Sequence, residues 1–456
     1  IINEDLYDRD FVKNWTVGFE DLKKLVQEYP PEKAAEITRV PTEKIIEAAR
    51  LFAATKPAKL HLSANSTTHH SNGVQNHRAV ILLAALTGNI DIPGGNRLGP
   101  YIEGHANDIT LHERVADMPP GVGSRRFPIW SYRYREMQSN AIADQIESAD
   151  PYPIKAIFSS GLNVQFFANS RRMEELISKL DFVAVTEYFH TPGTRLADVV
   201  LPIASWLERP ILMADGALAR LLQPAIEPVG ECRTEWDIYS GLAKRLGFGD
   251  LFWDGDFSKC ADHILEPLDI THNDLVENPE GIPVPTVPRP VRSYEKKGFK
   301  TASGKVEIAS SVLAEYGLDA LPVYHEPPES PVSTPEIARD FPLVMTSGAR
   351  VMAYTHSQFR NIPALRKLMR EPLVDINPAD AAPRGIQTGD AVTISTPRAS
   401  ITMKANVTDA ILDGVVSMPH HWPDEANANA LVDDISLDPV SGFIPCKSQL
   451  CQVTRV

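Results

Sequence analysis

Residues 181–210, DFVAVTEYFHTPGTRLADVVLPIASWLERP, constrain the fold more than any other stretch of the chain. The apolar run Phe182, Val183, Ala184, Val185 breaks off at Thr186, Glu187 and Tyr188, as a buried parallel strand does when it delivers an acidic residue to the end of a sheet. Open α/β sheets bind ligands at that edge. Thr191, Pro192, Gly193 and Thr194 make a polar turn, and 197–201 is again strand-like until Pro202 closes it. A carboxylate and a hydroxyl a few residues apart at a strand end suit a nucleotide base and its ribose. A connecting loop with a merely solvated Glu187 fits the same spacing.

The flanking pattern extends this into a βαβ unit: a strand over 154–158, a loop at Gly161, a helix over 171–180 and the strand over 182–185. Upstream, helices are predicted over 22–29, 31–36 and 42–54, then a strand over 59–63 and a polar loop over 64–72. Gly73 opens a helix that carries Arg78 and the apolar face Val80, Leu83, Ala84 and Leu86, and Thr87, Gly88 and Asn89 end it. Arg233, Thr234, Glu235 and Trp236 open another. Residues 278–292 hold five prolines and exclude a helix. After Phe341 the pattern turns to short strands (343–346, 374–376, 391–396, 401–407, 415–418) with turns at Gly385, Gly389, Pro397 and Gly414, which predicts a barrel of six or more strands. Period-two alternation puts Val392, Ile394, Ile401 and Met403 on its core side.

At 456 residues the chain needs two to four domains. A net charge of −14 repels phosphate backbones, and no basic stripe is interleaved with aromatics, so nucleic acid is excluded as a partner. Apolar runs such as 79–86 fall far short of a membrane span. The four cysteines, Cys232, Cys260, Cys446 and Cys451, form no CxxC and read as buried thiols, so neither a zinc nor a cluster site is encoded here.

Taken together, these segments resemble the molybdopterin oxidoreductases of the dimethyl sulfoxide reductase family, in which a strand ending in Asp or Glu is followed by Thr, Ala-Asp-Val-Val-Leu-Pro and Trp-x-Glu. Here those are Glu187, Thr191, 197–202, Trp206 and Glu208. Residues 69–96, HHSNGVQNHRAVILLAALTGNIDIPGGN, are similar to the family's Asn-Gly-x-Gln-x-x-Arg helix and its Gly-Gly turn. TASGKVE at 301–307 is similar to its Thr-Pro-Ser-Gly-Lys-x-Glu strand, with Ala302 in place of Pro. Pro378, Ala379, Asp380, Gly385, Gly389 and Asp390 match its dinucleotide-binding barrel. The opening IINEDLYDRDFVKNW, WLERP at 206–210 and Tyr324, His325, Glu326, Pro327 look most like the acetylene hydratase branch.

The resemblance implies an α/β fold with doubly wound Rossmann-like βαβ regions followed by a C-terminal double-psi-like β-barrel. It divides the chain into the C-terminal part of one Rossmann-like domain (1–80), a second dinucleotide-binding one (81–215), a mixed connecting region (216–335) and the barrel (336–456). It also implies bis-molybdopterin guanine dinucleotide with molybdenum or tungsten. Gly73, Gly161, Asn163, Glu187 and Thr191 would then grip the dinucleotides, as would Arg350, Tyr354, His356, Ser357, His421, Asn429 and Lys447 in the barrel. Glycines allow backbone amides to approach pyrophosphate closely. Arg78, at the helix position beside the metal, and His70 would serve the chemistry, the first by holding negative charge and the second by carrying a proton. Arg78 paired to a surface carboxylate and His70 solvated in its loop are the alternatives. None of the cysteines matches a metal ligand, so no metal-ligating residue is assigned.

Ile1 is not an initiator Met, and the chain is expected to start within a fold. The family's iron–sulfur motif and its protein ligand to the metal lie upstream of that point. The expected partners are that N-terminal part, an iron–sulfur electron-transfer subunit and a small-molecule substrate. For compartment the cytoplasm of a prokaryotic anaerobe is preferred to the periplasm. Three functions are consistent with the sequence: two-electron oxidoreduction, a non-redox tungsten-dependent hydration, and a non-catalytic cofactor-binding fragment.

Overall fold

Helix α1 (Arg9–Trp15) starts where the Asp8 carboxylate caps the Phe11 amide at 2.9 Å, and it buries Phe11 and Val12. Together with helices Phe19–Leu25, Pro31–Thr38 and Thr42–Ala54 it surrounds α2 (Gly73–Leu86). Leu82 and Leu86 of α2 pack with Ile2, Val12, Leu22 and Ile308, while Ala84 and Ala85 pack with Phe11, Ile90 and Tyr294. Gly88 adopts φ +67° past the end of α2, the left-handed exit that an L side chain resists. This computed structural model describes residues 1–98, 120–134, 136–214, 217–284, 290–349, 351–423 and 426–456.

The strand expected over 59–63 does not form. Its backbone pairs with one side chain instead of a neighbouring strand: the Leu60 amide donates to Asn96 Oδ1, and Asn96 Nδ2 donates back to the Leu60 carbonyl, both at 2.9 Å. A side-chain amide can imitate a ladder at one residue but cannot extend it. The parallel pair that does form here is β1 (Thr16–Val17) with Val306–Glu307, inside the TASGKVE segment.

The βαβ unit follows its predicted order. Strands β2 (Ala156–Ser160), β3 (Phe182–Glu187) and β4 (Val199–Pro202) form a parallel sheet in that order, and helix α3 (Ser170–Ile177) connects the first two. Val183 and Val185 of β3 face Leu162, Met173, Leu176 and Ile177 in one apolar core. Thr234 caps helix Glu235–Arg245 through the Asp237 amide. Among the described residues of the proline-dense stretch, Ile282–Pro283 forms a strand paired with Leu218–Leu222.

From Leu343 onward the chain closes into a six-stranded barrel: β5 (Leu343–Ala349), β6 (Leu373–Ile376), β7 (Ala391–Ser395), β8 (Ser400–Val407), β9 (Val415–Pro419) and β10 (Gln449–Arg455), in the order β6-β8-β7-β10-β5-β9. Val392, Ile394, Ile401 and Met403 are all buried in its core, as alternation requires. The sixth strand, β10, is not among the expected strands; it follows a turn at 446–447 and pairs with β7 and β5.

Barrel and βαβ unit are tied by polar side chains. Arg172 of α3 bridges Asp144, Glu147 and Asp434, and the Asn169 amide nitrogen donates to the Val432 carbonyl at 3.0 Å. Asn427 Nδ2 reaches Ser170 Oγ at 2.8 Å. Among the described residues no helix is long and apolar enough to cross a membrane.

Candidate functional site

Where β3 ends, Glu187 is half-buried; its Oε1 accepts from the Tyr188 amide at 2.9 Å. Its Oε2 lies 3.7 Å from where a methyl on Gly161 would stand, an ordinary van der Waals contact that places the glycine directly beside the carboxylate. Gly161 itself has φ +65° and donates its amide to the Thr186 carbonyl at 2.9 Å. Thr191 and Thr194 lock their turn reciprocally: the Thr191 amide donates to Thr194 Oγ1 at 2.9 Å and the Thr194 amide to Thr191 Oγ1 at 3.3 Å. A side chain on Gly193 would strike the Leu162 carbonyl, which presses the 191–194 turn against the 161–163 loop. Gly161, Asn163, Glu187 and Thr191 therefore stand together at one sheet edge.

Asn163 begins a single turn, Val164–Phe166, that crosses to the barrel. There the buried Asn429 donates Nδ2 to the carbonyls of Gln165 at 2.9 Å and Phe166 at 3.0 Å. The Phe166 ring lies on His421, with centroids 3.6 Å apart, and next to His356 at 5.4 Å. His356 Nδ1 and His420 Nε2 are 2.8 Å apart. Arg360 donates to the His421 carbonyl at 2.7 Å and spreads its guanidinium over Trp422, 4.9 Å from the ring centroid. Tyr354 is buried, with its hydroxyl on the Met369 carbonyl and its ring edge-on to Trp422. Ser357 is half-buried in the same loop, and Arg350 lies outside the described residues.

The wall continues through Gly348, at φ +84°. A methyl there would meet Lys447 Nζ at 3.1 Å and His420 Nδ1 at 3.7 Å. Lys447 donates to the Ser347 carbonyl at 2.8 Å. Beyond it His69 stacks on Phe443, with centroids 5.3 Å apart and rings 14° from parallel. Burial first, then the Lys447 ammonium and His70, push the His69 imidazole down to about 4, and burial also lowers His70. The N-terminus of α2 is fastened to the barrel by the buried Asp438 carboxylate, which accepts from the Val74 amide at 3.0 Å. Gly73 has no room for a side chain against the Thr68 carbonyl.

Arg78 is placed differently. It donates to Gln75 Oε1 at 2.6 Å and to the carbonyls of Ile308 and Ala320, both at 3.0 Å, and among the described residues none of its hydrogen bonds reaches the barrel. Burial lowers the pKa of its guanidinium, opposed by Glu307, the carboxylate that acts on it. Sequence reasoning missed Arg360, His420 and Phe166. The His-His pair at 420–421 was a legible signal. Arg360 and Phe166 gave none, because nothing in their spacing says that two distant loops meet.

Among the described residues, Arg360 and Lys447 have donors on backbone carbonyls and no carboxylate partner. Unneutralised cations on a wall with glycines at Gly161 and Gly348 fit a pyrophosphate-bearing group. Such a group needs close backbone approach and positive charge.

Because His69 is held at about 4 against an ordinary 6.5, the folded chain binds fewer protons than the unfolded chain below pH 6.5. Its contribution to stability is intact above pH 6.5 and is lost as pH falls toward 4. The thermal midpoint should drop across that window, and His69→Gln should flatten the drop. An unchanged pH profile in the variant would exclude His69 as its source.

Residues 32–245 match the family described as molybdopterin oxidoreductase, and 343–450 match the molydopterin dinucleotide binding domain. The chain is 29% identical over 502 residues to acetylene hydratase of Syntrophotalea acetylenica, covering 97% of this chain and 66% of that protein. It is 30% identical over 477 residues to the F420-dependent formate dehydrogenase subunit alpha of Methanocaldococcus jannaschii, covering 100% of this chain and 67% of the relative. The solved acetylene hydratase from Pelobacter acetylenicus superposes with a TM-score of 0.89 at 27% identity, over 100% of this chain and 69% of that one. The chain thus spans about two thirds of the length of these relatives. With the sheet edge, the cationic barrel wall and these matches in agreement, the chain belongs to the molybdopterin oxidoreductase family.

Proposed function

We propose that this chain supplies most of the dinucleotide grip and one wall of the active site in a molybdenum- or tungsten-dependent enzyme with two molybdopterin guanine dinucleotides, which performs two-electron oxidoreduction of a small substrate. The observation that carries this is the continuous run from Glu187 through Gly161, Asn163 and Phe166 to His356, His421 and Lys447, where among the described residues Arg360 and Lys447 donate to backbone carbonyls and pair with no acid. When bound, the metal supplies the two-electron chemistry. The residues of this chain hold and orient. Glu187 accepts N–H donors of a guanine edge, Gly161 and Gly348 admit the backbone to phosphate, and Arg360 and Lys447 offset its charge. His70, lowered in pKa by burial, is neutral at pH 7 and able to accept a proton. An upstream iron–sulfur cluster and an electron-transfer subunit would complete the electron path, with the cytoplasm of a prokaryotic anaerobe as the preferred compartment.

A second reading, non-redox hydration of a small unsaturated substrate at tungsten, is favoured by the resemblance to acetylene hydratase in both sequence and structure. Turnover by the intact enzyme separates the two. Oxidoreduction requires an electron acceptor or donor, whereas hydration proceeds with neither. A chain that carries no metal or pterin when purified as the intact protein would support the third reading, a non-catalytic fragment.

Glu187→Gln keeps the shape but exchanges one acceptor oxygen for a donor. The loss of a charge-assisted bond, about 1.5–3 kcal/mol, should lower pterin retention on the order of 10- to 100-fold. Unchanged pterin content would remove Glu187 from the site.

Arg78→Lys distinguishes a role in chemistry from the structural one its carbonyl bonds show. If the planar fork steadies negative charge in the transition state, turnover should fall by on the order of 100-fold with cofactor content unchanged. If Arg78 only anchors the 307–320 segment, the variant loses thermal stability and keeps its turnover per bound cofactor.

A further inference from the structure

We propose that Asp438 is a positioning residue for the His69–His70 loop: from 364 residues beyond Val74 it takes the place of the local cap of α2 and holds that loop against the barrel rim at Lys447. Asp438 is 1% exposed, and its carboxylate accepts from two directions. Oδ1 takes the Val440 amide at 3.0 Å, the Ser441 amide at 2.7 Å and the Ser441 hydroxyl at 2.9 Å, which closes its own turn. Oδ2 takes the Val74 amide at 3.0 Å, in the first turn of α2.

That second bond is the one a local residue ordinarily makes. The N-cap position of α2 is held by Asn72, a residue type whose side-chain oxygen commonly accepts from the second or third amide of its helix. Among the described residues it caps none of them, and its Nδ2 donates instead to the Val323 carbonyl at 2.8 Å. The Val74 amide finds its acceptor on the barrel side. A carboxylate there also suits the positive end of a 14-residue helix better than a neutral side chain does.

Helix α2 thus takes its register from the barrel and not from the loop before it, and the 438–443 loop is a firm mount. The Asp438 amide donates to the Phe443 carbonyl at 3.0 Å, the Gly442 amide returns to the Asp438 carbonyl at 2.8 Å, and Asn140 Nδ2 holds the Gly442 carbonyl at 2.9 Å. On its other side the Phe443 ring stacks with His69, and the Ile444 backbone bonds the same imidazole. His70 sits one turn before Val74, its carbonyl accepting from the Gly73 amide at 3.1 Å. These contacts fix residues 69–74 to 438–444, and of them the Asp438 bond is charge-assisted. Without it α2 stays packed at its far end through Leu82 and Leu86, but its start and the two imidazoles can shift relative to Lys447. The placement rests on these bonds alone; that it serves proton transfer at His70 rests on the proposed function.

Asp438→Asn separates this role from service to the turn alone. Asn keeps the acceptor oxygen that the three turn donors need, and its amide nitrogen then faces the Val74 N–H, donor against donor. Hydrogen exchange and diethyl pyrocarbonate labelling of the intact protein at neutral pH, both followed by mass spectrometry, read the outcome. Exchange at Val74 should accelerate about 10- to 100-fold, the equivalent of one charge-assisted hydrogen bond. Labelling of His69 and His70 should rise several-fold relative to the exposed His61. Ser441→Ala, which loosens only the turn, should change neither. If Asp438→Asn loses its native circular dichroism, Val74→Pro decides through the labelling in its place, because it removes the donor within the first turn, where proline is tolerated. Wild-type labelling of His69 and His70 in the folded variant overturns the proposal, whether or not exchange at Val74 has changed, as does an equal rise in Ser441→Ala. Pterin content of the wild-type preparation reports separately on the cofactor reading, so either can fail alone.

Discussion

Asn429 holds the candidate site together. Its side-chain amide donates to the carbonyls of Gln165 and Phe166 at the point where the loop after β2 meets the barrel, and Asn429 and Gln165 are themselves buried. A satisfied hydrogen bond contributes only about 0.5–1.5 kcal/mol net, but leaving a buried carbonyl unpaired costs about 1–3 kcal/mol. The asymmetry makes the joint hard to open without making it a large source of stability. Arg172, reaching Asp434 from α3, and Asn427, reaching Ser170, act on the same seam. Glu187 at one end and His356 and Lys447 at the other keep a fixed spacing only while this seam is closed, and a ligand spanning sheet edge and barrel wall needs that spacing.

The sequence was most informative where local rules decide. The helix over 42–54 was legible to the residue, and α2 began at Gly73 as expected. The alternation that buried Val392, Ile394, Ile401 and Met403 is a property of strands wherever they occur. It failed where a distant side chain replaces a strand, as Asn96 does for Leu60, and it missed the strand Gln449–Arg455 altogether. For the site, Glu187, Gly161, Asn163 and Thr191 could be grouped because they lie within one βαβ unit. Phe166 could not, because its meeting with His356 and His421 depends on how barrel and sheet are docked, and Arg360 could not, because its loop meets the His421 segment only once the barrel has closed. Arg78 was expected to face an anion, and a guanidinium near a helix start gave no sign that three main-chain carbonyls from 307–320 would take up its second nitrogen.

Charge gives the remaining constraint. A chain of net charge −14 is a poor host for a polyanion if only the total is considered. At physiological ionic strength, however, charges separated by more than about 8 Å of solvent are largely screened, whereas those in a partly buried wall are not. Arg360 and Lys447 spend their donors on backbone carbonyls, Gly348 keeps the space beside Lys447 clear, and the nearby imidazoles of His69 and His70 are held toward their neutral forms by burial. Acidic residues elsewhere are taken up in exposed pairs such as Glu4 with Arg50 and Asp413 with Arg39. Among the described residues, local potential at the barrel rim is thus decoupled from the overall charge. A surface acidic enough to exclude nucleic acid is compatible with a rim that accepts phosphate.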